Sequence, residues 1–318
     1  MFTIKYVKPK VLISKCLEFE ACRYDGQIIN NKYIKKLKSY IDFITVCPEV
    51  EIGLGIPRDP IHLINNKKKL SLFQPATKKH LGIKMDTFSK LFLDNLKNID
   101  GIILKSKSPS CAIGTAKHYP NIDARQLSGK GPGLFAYNLL QKFPNTPKEE
   151  ETRLNDVFLR EHFYTSIFVV AEFRTIQTFK ELYDFHAKHK LLMMAYNQSK
   201  LTKLGRIAAN HSDMKIDEIL YDYYNLLLDI FSKRPRYVSH INTQTHAFGY
   251  YKKELTKKEK NYFLNLLEDY RNRKLPVSSV NSVLYSWNMR FNNEYLLNQS
   301  YFAPFPQDLI EYNDSRMK

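Results

Sequence analysis

Three short runs of apolar and β-branched residues mark the first third of the chain: residues 11–16 (VLISKC), 43–47 (FITVC) and 101–104 (GIIL). Each is too short for a helix and continuously apolar, which predicts a buried strand. Between them the apolar spacing becomes helical, around residues 32–40 and 85–97. A further helix is predicted after Gly133, through Leu134, Tyr137, Leu140 and Phe143. Strands alternating with helices predict an α/β domain with a Rossmann-like, mostly parallel sheet. The segment Phe143-Pro144-Asn145-Thr146-Pro147, followed by the acidic residues 149–151, reads as a boundary. The expected division is an α/β domain over residues 1–150 and a second domain over residues 151–318.

From about Asp156 onward the pattern is that of helices alone. Ile219, Leu220, Tyr223, Leu226, Leu227, Ile230 and Phe231 follow the three-and-four spacing of one buried face. Thr256-Lys257-Lys258-Glu259 is a capping box opening a helix through Leu264, Leu267 and Tyr270, which Pro276 ends or interrupts. The second domain is therefore expected to be all-α. No repeat of fixed period and no low-complexity tract interrupts either half.

A length of 318 residues exceeds what one core organises, and 43% hydrophobic residues supply material for two cores. The longest apolar runs, such as residues 167–171 and 191–195, fall far short of the ~20 residues that span a bilayer. The N-terminal run Val11-Leu12-Ile13 lacks the length of a signal sequence, so a cytoplasmic location is expected. Charge is uneven. Residues 1–150 hold 25 Lys and Arg against 13 Asp and Glu, whereas residues 151–318 hold 24 against 19. The basic excess of the first half makes nucleic acid a candidate partner, although a lysine-rich solvated surface explains it equally.

Cysteine placement changes the picture more than charge does. All four, Cys16, Cys22, Cys47 and Cys111, lie in the first 111 residues. Cysteines in a cytosolic chain are more often metal ligands or catalytic groups than disulfides. Cys16 and Cys47 end the first two predicted strands, and Cys111 follows the third by a short loop. In an open α/β sheet the carboxyl ends of the strands line one crevice, so these three thiols would converge there. Their separations, thirty and sixty-three intervening residues, match neither zinc-ribbon nor ferredoxin spacing, and cysteines that merely fill a core remain the alternative. Cys22, on a predicted loop, is read as accessory. Glu49, two residues past Cys47, is placed to act as a general base on water. Ser108 and Ser110 set two hydroxyls beside Cys111. Arg23-Tyr24-Asp25-Gly26 reads either as a charge pair at the same rim or as an ordinary turn.

Several blocks together resemble the thiouracil desulfurase family: Ser14-Lys15-Cys16-Leu17 with Arg23-Tyr24-Asp25-Gly26, Cys47-Pro48-Glu49-Val50 with Gly53-Leu54-Gly55-Ile56-Pro57-Arg58, and Ile103-Leu104-Lys105 with Ser108-Pro109-Ser110-Cys111. In the second half His186-Ala187-Lys188-His189-Lys190-Leu191-Leu192-Met193, Gly249-Tyr250-Tyr251-Lys252-Lys253-Glu254-Leu255 and Tyr301-Phe302-Ala303-Pro304-Phe305-Pro306 resemble the helical domain of YbgA-type proteins. The resemblance implies a 4Fe-4S cluster held by Cys16, Cys47 and Cys111 with one iron left open. It further implies a hydrolase-type desulfurase in which that iron takes the sulfur of 2-thiouracil or a related thiolated base as a Lewis acid. Water then replaces the sulfur at carbon without net redox change. Glu49, Ser108 and Ser110 would be catalytic, and Arg23, Asp25 and Arg58 would bind the substrate. Phe19 and Ala112 stand where the family usually has glycine.

Two other functions compete. A sulfur-inserting tRNA enzyme needs ATP, and the chain shows no Ser-Gly-Gly loop for it. A tRNA- or nucleic-acid-binding protein with a structural iron–sulfur cluster would draw on the basic first half. His186 and His189, with His240 and His246, offer a rival metal site at helical spacing. Gly129-Lys130-Gly131-Pro132-Gly133 is not a phosphate loop, because Ala124 occupies the first-glycine position and Gly131 the hydroxyl position.

Overall fold

A computed structural model describes residues 5–66, 69–209 and 213–311. The chain forms two compact units. The first holds the described residues of Met1–Ala171 and Asp308–Lys318, and the second is Glu172–Gln307.

Strand β1 (Lys10–Ser14) is the centre of the first unit, with Val11, Leu12 and Ile13 wholly buried. It lies between β2 (Asp42–Val46) and β6 (Gly101–Leu104), which continues to β9 (Lys148–Glu150), giving the order β2-β1-β6-β9. Every pairing is parallel, with Val11 opposite both Phe43 and Gly101. Parallel strands covered on both faces need apolar side chains on both, which is why VLI and GIIL run without alternation. One face packs Leu12, Ile102 and Leu104 against Met85 and Leu93 of α3 (Gly82–Asn95) and Leu134, Phe135 and Leu139 of α4 (Leu134–Lys142). On the other face Gly101 admits α5 (Val157–Phe173): a β-carbon there would stand 2.5 Å from Ile167. Helix α1 (Lys32–Leu37), capped by the Asn31 side chain, joins β1 to β2.

The expected α/β fold with a mostly parallel sheet is present, and three details differ from the sequence reading. Residues 148–150, read as part of a boundary, form β9, and the compact unit runs on to Ala171. A second sheet, β5-β4-β3-β7-β8, was not anticipated; it comprises β3 (His62–Asn65), β4 (Leu70–Gln74), β5 (Lys79–His80), β7 (Ala116–Tyr119) and β8 (Gly129–Gly131). The Gly129-Lys130-Gly131 run is a strand edge there, pressed against the His118 ring. In α4 the buried face is Leu134, Phe135, Ala136 and Leu139, so Tyr137 is turned outward and 42% exposed.

The second unit is helical: α6 (Phe179–Ala208), α7 (Ile216–Ile230), α8 (Tyr237–Gly249), α9 (Lys257–Arg271), α10 (Val277–Phe291) and α11 (Glu294–Leu297). Ile219, Tyr223, Leu227 and Ile230 form the buried face of α7 as expected. The Thr256–Glu259 capping box opens α9, which ends at Arg271; Pro276 serves as the N-cap of α10 rather than as a break. Among the described residues, no helix is long and apolar enough to cross a membrane.

Candidate functional site

The carboxyl ends of β1, β2 and β6 are where the cysteines collect. Cys16 follows β1 by two residues, and Cys47 follows β2 directly as the N-cap of the short helix α2 (Pro48–Glu51). Proline both holds its predecessor extended and starts a helix well, so Cys47-Pro48 turns the chain from strand to helix at the thiol. All four cysteines are buried and unpaired as disulfides. Cys111 ends the loop after β6, where its amide and that of Ser110 donate to the Ser108 hydroxyl at 3.0 and 3.2 Å. Burial raises its thiol far above the ordinary range, partly offset by the nearby Ser14 and Ser108 hydroxyls.

Cys22 is wholly buried, though its loop position suggested an accessory residue. The neighbouring Cys16 thiol, partly opposed by Cys47 and helped by burial, pushes the Cys22 thiol up to about 11. The Cys47 thiol is raised further, first by Cys22 and then by burial.

Glu49 is a buried acid beside Cys47 and Cys111. One carboxylate oxygen accepts Arg58 Nε at 2.8 Å and the other accepts the Ser110 hydroxyl at 3.0 Å. Arg58, its side chain only 6% exposed, also donates to the carbonyls of Cys22 at 3.0 Å and Gly55 at 3.3 Å. Glu49, Arg58, Ser108 and Ser110 are thus brought together around the thiols. Arg23 and Asp25 instead pair with each other at 3.1 Å in a surface turn, and Asp25 also accepts the Gln27 amide. The turn reaches the site through its backbone, since the Tyr24 carbonyl accepts the Arg58 amide at 2.7 Å.

The loop that carries Cys111 is held by groups the sequence reading passed over. The Glu150 carboxylate accepts the amides of Ile113, Gly114 and Thr115 and the Thr115 hydroxyl at 2.8–3.3 Å. Glu151 accepts Lys105 Nζ at 2.5 Å and the Ser106 amide at 2.6 Å. From the other side, the amides of Gly133, Leu134 and Ala136 at the start of α4 donate to the carbonyls of Ala112, Pro109 and Ser110. That approach needs glycine: a β-carbon on Gly133 would lie 2.5 Å from the Ser110 backbone. Three consecutive glutamates, residues 149–151, shortly after Thr146-Pro147 were the available signal, masked by their acidity. Ala112 is wholly buried with its carbonyl on Gly133, and Phe19 packs edge-on to Phe43 at 5.3 Å beneath Lys38.

Soft, buried, reduced thiols at neighbouring strand ends are the donor set an iron–sulfur cluster takes. Among the described residues, no three His, Cys, Asp or Glu side chains are gathered as ligands of a single metal ion. The fit to a cluster therefore rests on the chemistry of the donors, which are buried thiols free of disulfides. The rival histidine site does not form. His186 bonds the Tyr223 hydroxyl, His189 bonds Glu172 and Ser300, His240 bonds Tyr301, and His246 is exposed. A cavity of about 810 Å³ in the first unit is lined by Asn65, His118, Tyr137 and Asn138 and by none of the four cysteines. Its histidine is committed to Asn65 and the Pro132 carbonyl, both at 3.0 Å.

Comparison with known proteins bears on both halves. Residues 11–151 match the family model described as 2-thiouracil desulfurase, and residues 190–306 match one described as a protein of unknown function, DUF1722. The uncharacterized protein YbbK of Bacillus subtilis (strain 168) is 29% identical over 159 residues, 46% of this chain and 99% of the relative. The uncharacterized protein YbgA of Escherichia coli (strain K12) is 24% identical over 127 residues, 40% of this chain and 75% of the relative. A solved structure, the [4Fe-4S]-dependent thiouracil desulfidase TudS, is 26% identical, covers 46% of this chain and 94% of its own, and superposes with a TM-score of 0.38.

Proposed function

We propose that this chain, which joins a 2-thiouracil desulfurase region to a DUF1722 region, is an iron–sulfur-dependent desulfurase that hydrolyses the thiocarbonyl of 2-thiouracil or a related thiolated base. The observation that carries the reading is the set of three buried thiols, Cys16, Cys47 and Cys111, after adjacent parallel strands, with the buried Glu49 carboxylate beside them.

Cys16, Cys47 and Cys111 are the residues that would hold a 4Fe-4S cluster. When bound, it supplies a soft Lewis-acid position that binds thiocarbonyl sulfur and polarises the attached carbon. Glu49 takes the proton of the attacking water. Each of its oxygens accepts one hydrogen bond in the fold, which leaves lone pairs for that proton. Ser110 orients one carboxylate oxygen and Arg58 pairs with the other, so Arg58 serves the base rather than only the substrate. Ser108 shapes the Cys111 turn. Arg23 and Asp25, at the rim turn joined to Arg58, are assigned to contact the incoming base.

Nucleic-acid binding draws no support from the family matches. The test is anaerobic purification of the full chain, with iron, acid-labile sulfide and the visible spectrum measured beside release of sulfide from 2-thiouracil. Alanine at Cys16, Cys47 or Cys111 is expected to abolish cluster content and turnover together. A folded, colourless, iron-free preparation that resists reconstitution would overturn the reading.

A further inference from the structure

Arg58 enters the site with part of its hydrogen-bonding capacity unused. A guanidinium carries its N–H donors in one plane and has no acceptor. Here Nε donates to the Glu49 carboxylate at 2.8 Å, and Nη1 donates to the carbonyls of Cys22 at 3.0 Å and Gly55 at 3.3 Å. Those bonds use Nε and Nη1, and Nη2 has no hydrogen-bond partner among the described residues. Nor is it sealed in the protein. Among the described residues, the enclosed side-chain nitrogens and oxygens without a partner belong to Gln244, Tyr251 and Asn288.

Ser110 explains why that arm of the fork is open. Arginine and carboxylate commonly meet through two parallel N–H···O bonds. The second carboxylate oxygen of Glu49 is instead turned to the Ser110 hydroxyl at 3.0 Å, so the carboxylate fills the Nε arm alone. In a planar fork one Nη2 proton points parallel to the Nε proton, which sets an uncommitted, charged donor alongside the carboxylate assigned to activate water. The guanidinium is held in that place. The Arg58 amide donates to the Tyr24 carbonyl at 2.7 Å, and the side chain is only 6% exposed.

A group that can only donate selects its partner. In a thiolated pyrimidine, the substituent across ring nitrogen N3 from the thiocarbonyl is a carbonyl oxygen in 2-thiouracil and an amino group in 2-thiocytosine. The oxygen accepts the Nη2 proton, whereas the amino group meets it with protons of its own and leaves the charged donor unpaired.

We propose that Arg58 is a specificity-determining residue of the site: its Nη2 receives the carbonyl oxygen that lies across N3 from the thiocarbonyl, so the chain accepts 4-oxo thiopyrimidines and rejects 4-amino ones. This role rests on the desulfurase reading above and adds to it the choice among thiolated bases.

The test measures kcat/KM of the anaerobically reconstituted full chain for 2-thiouracil and 2-thiocytosine, and the binding of uracil and cytosine by calorimetry. Cytosine is expected to bind about tenfold or more weakly than uracil, and kcat/KM to favour 2-thiouracil by about 100-fold or more. Arg58→Gln, whose amide offers an acceptor as well as donors, is expected to narrow that ratio to within about tenfold. Loss of the contact with Glu49 slows both substrates alike, and the intrinsic reactivity of each base is the same with either enzyme, so the change in ratio reads the Nη2 contact alone. Equal kcat/KM for the two bases in the wild type overturns the proposal, as does an undiminished ratio in Arg58→Gln. If that variant does not fold, the wild-type ratio and the two binding constants decide. A wild-type chain that holds its cluster yet desulfurates neither base refutes the desulfurase reading itself, and the role of Arg58 falls with it.

Discussion

Glu49 shows how much of a catalytic assignment depends on neighbours the sequence spaces far apart. Its partners, Arg58 and Ser110, are nine and sixty-one residues away. Glu49→Gln keeps a carbonyl for one of these donors but cannot take a proton, so kcat is expected to fall by about 100-fold or more with cluster content unchanged. Wild-type turnover in that variant would assign water activation to another group. The same substitution leaves Arg58 with an uncompensated charge, at a cost of about 1–3 kcal/mol in stability. Gly133→Ala is expected to cost a similar ~1–3 kcal/mol, because its β-carbon meets the Ser110 backbone at 2.5 Å. Thermal unfolding and iron per chain, measured together, check this: the variant should lose both, and an unchanged pair of values would show that the Cys111 loop is not set by α4.

At the scale of elements, what could be read in advance followed from side-chain type. Strands β1 and β6 were legible because strands buried on both faces must be apolar throughout, and β2, half-exposed at the sheet edge, because its residues 43–46 are aromatic or β-branched. Strand β9, Lys-Glu-Glu, was not, because its side chains serve as anchors for the Cys111 loop and its place is given by pairing to β6. The second sheet was hidden for a related reason: its strands are two to five residues long and mix His, Lys and Gln with apolar positions. The places of Cys16, Cys47 and Cys111 just beyond strand ends were legible, whereas the burial of Cys22 depends on a loop fold-back that no periodicity encodes. In the helical unit, His240 is held neutral by burial, with its pKa lowered from 6.5 to about 4, and His189 is lowered by burial too. A histidine depressed in the fold takes up its proton more readily when unfolded. Its contribution to stability is therefore full above pH 6.5 and is lost as pH falls toward 4. The melting temperature of the helical unit is expected to drop over that window, and His240→Gln to flatten the dependence. A variant with the wild-type slope would place the effect elsewhere.

For the whole molecule, the division of labour does not fall where composition suggested. Helix α5 lies beyond residue 150 yet packs on the cysteine-bearing unit, through Ile167 and Phe163 at Gly101, Phe168 at Tyr6, and the buried Arg160 over the Tyr33 ring at 4.0 Å. The end of the described chain returns to the same unit, where Tyr40 bonds Asp308 at 2.8 Å and Lys32 and Lys36 pair with Glu311. A fragment of residues 1–150 is therefore expected to be poorly folded. Circular dichroism and size-exclusion chromatography would show it, and a compact, cooperatively melting fragment would contradict it. The anchors of the Cys111 loop bear on synthesis as well. Translation releases all four thiols before Gly133, Glu150 and Glu151, the groups that shape the loop around the last of them. On the ribosome the cysteines emerge as an open, oxidisable set, and assembly of any iron centre has to wait until about forty further residues have left the exit tunnel.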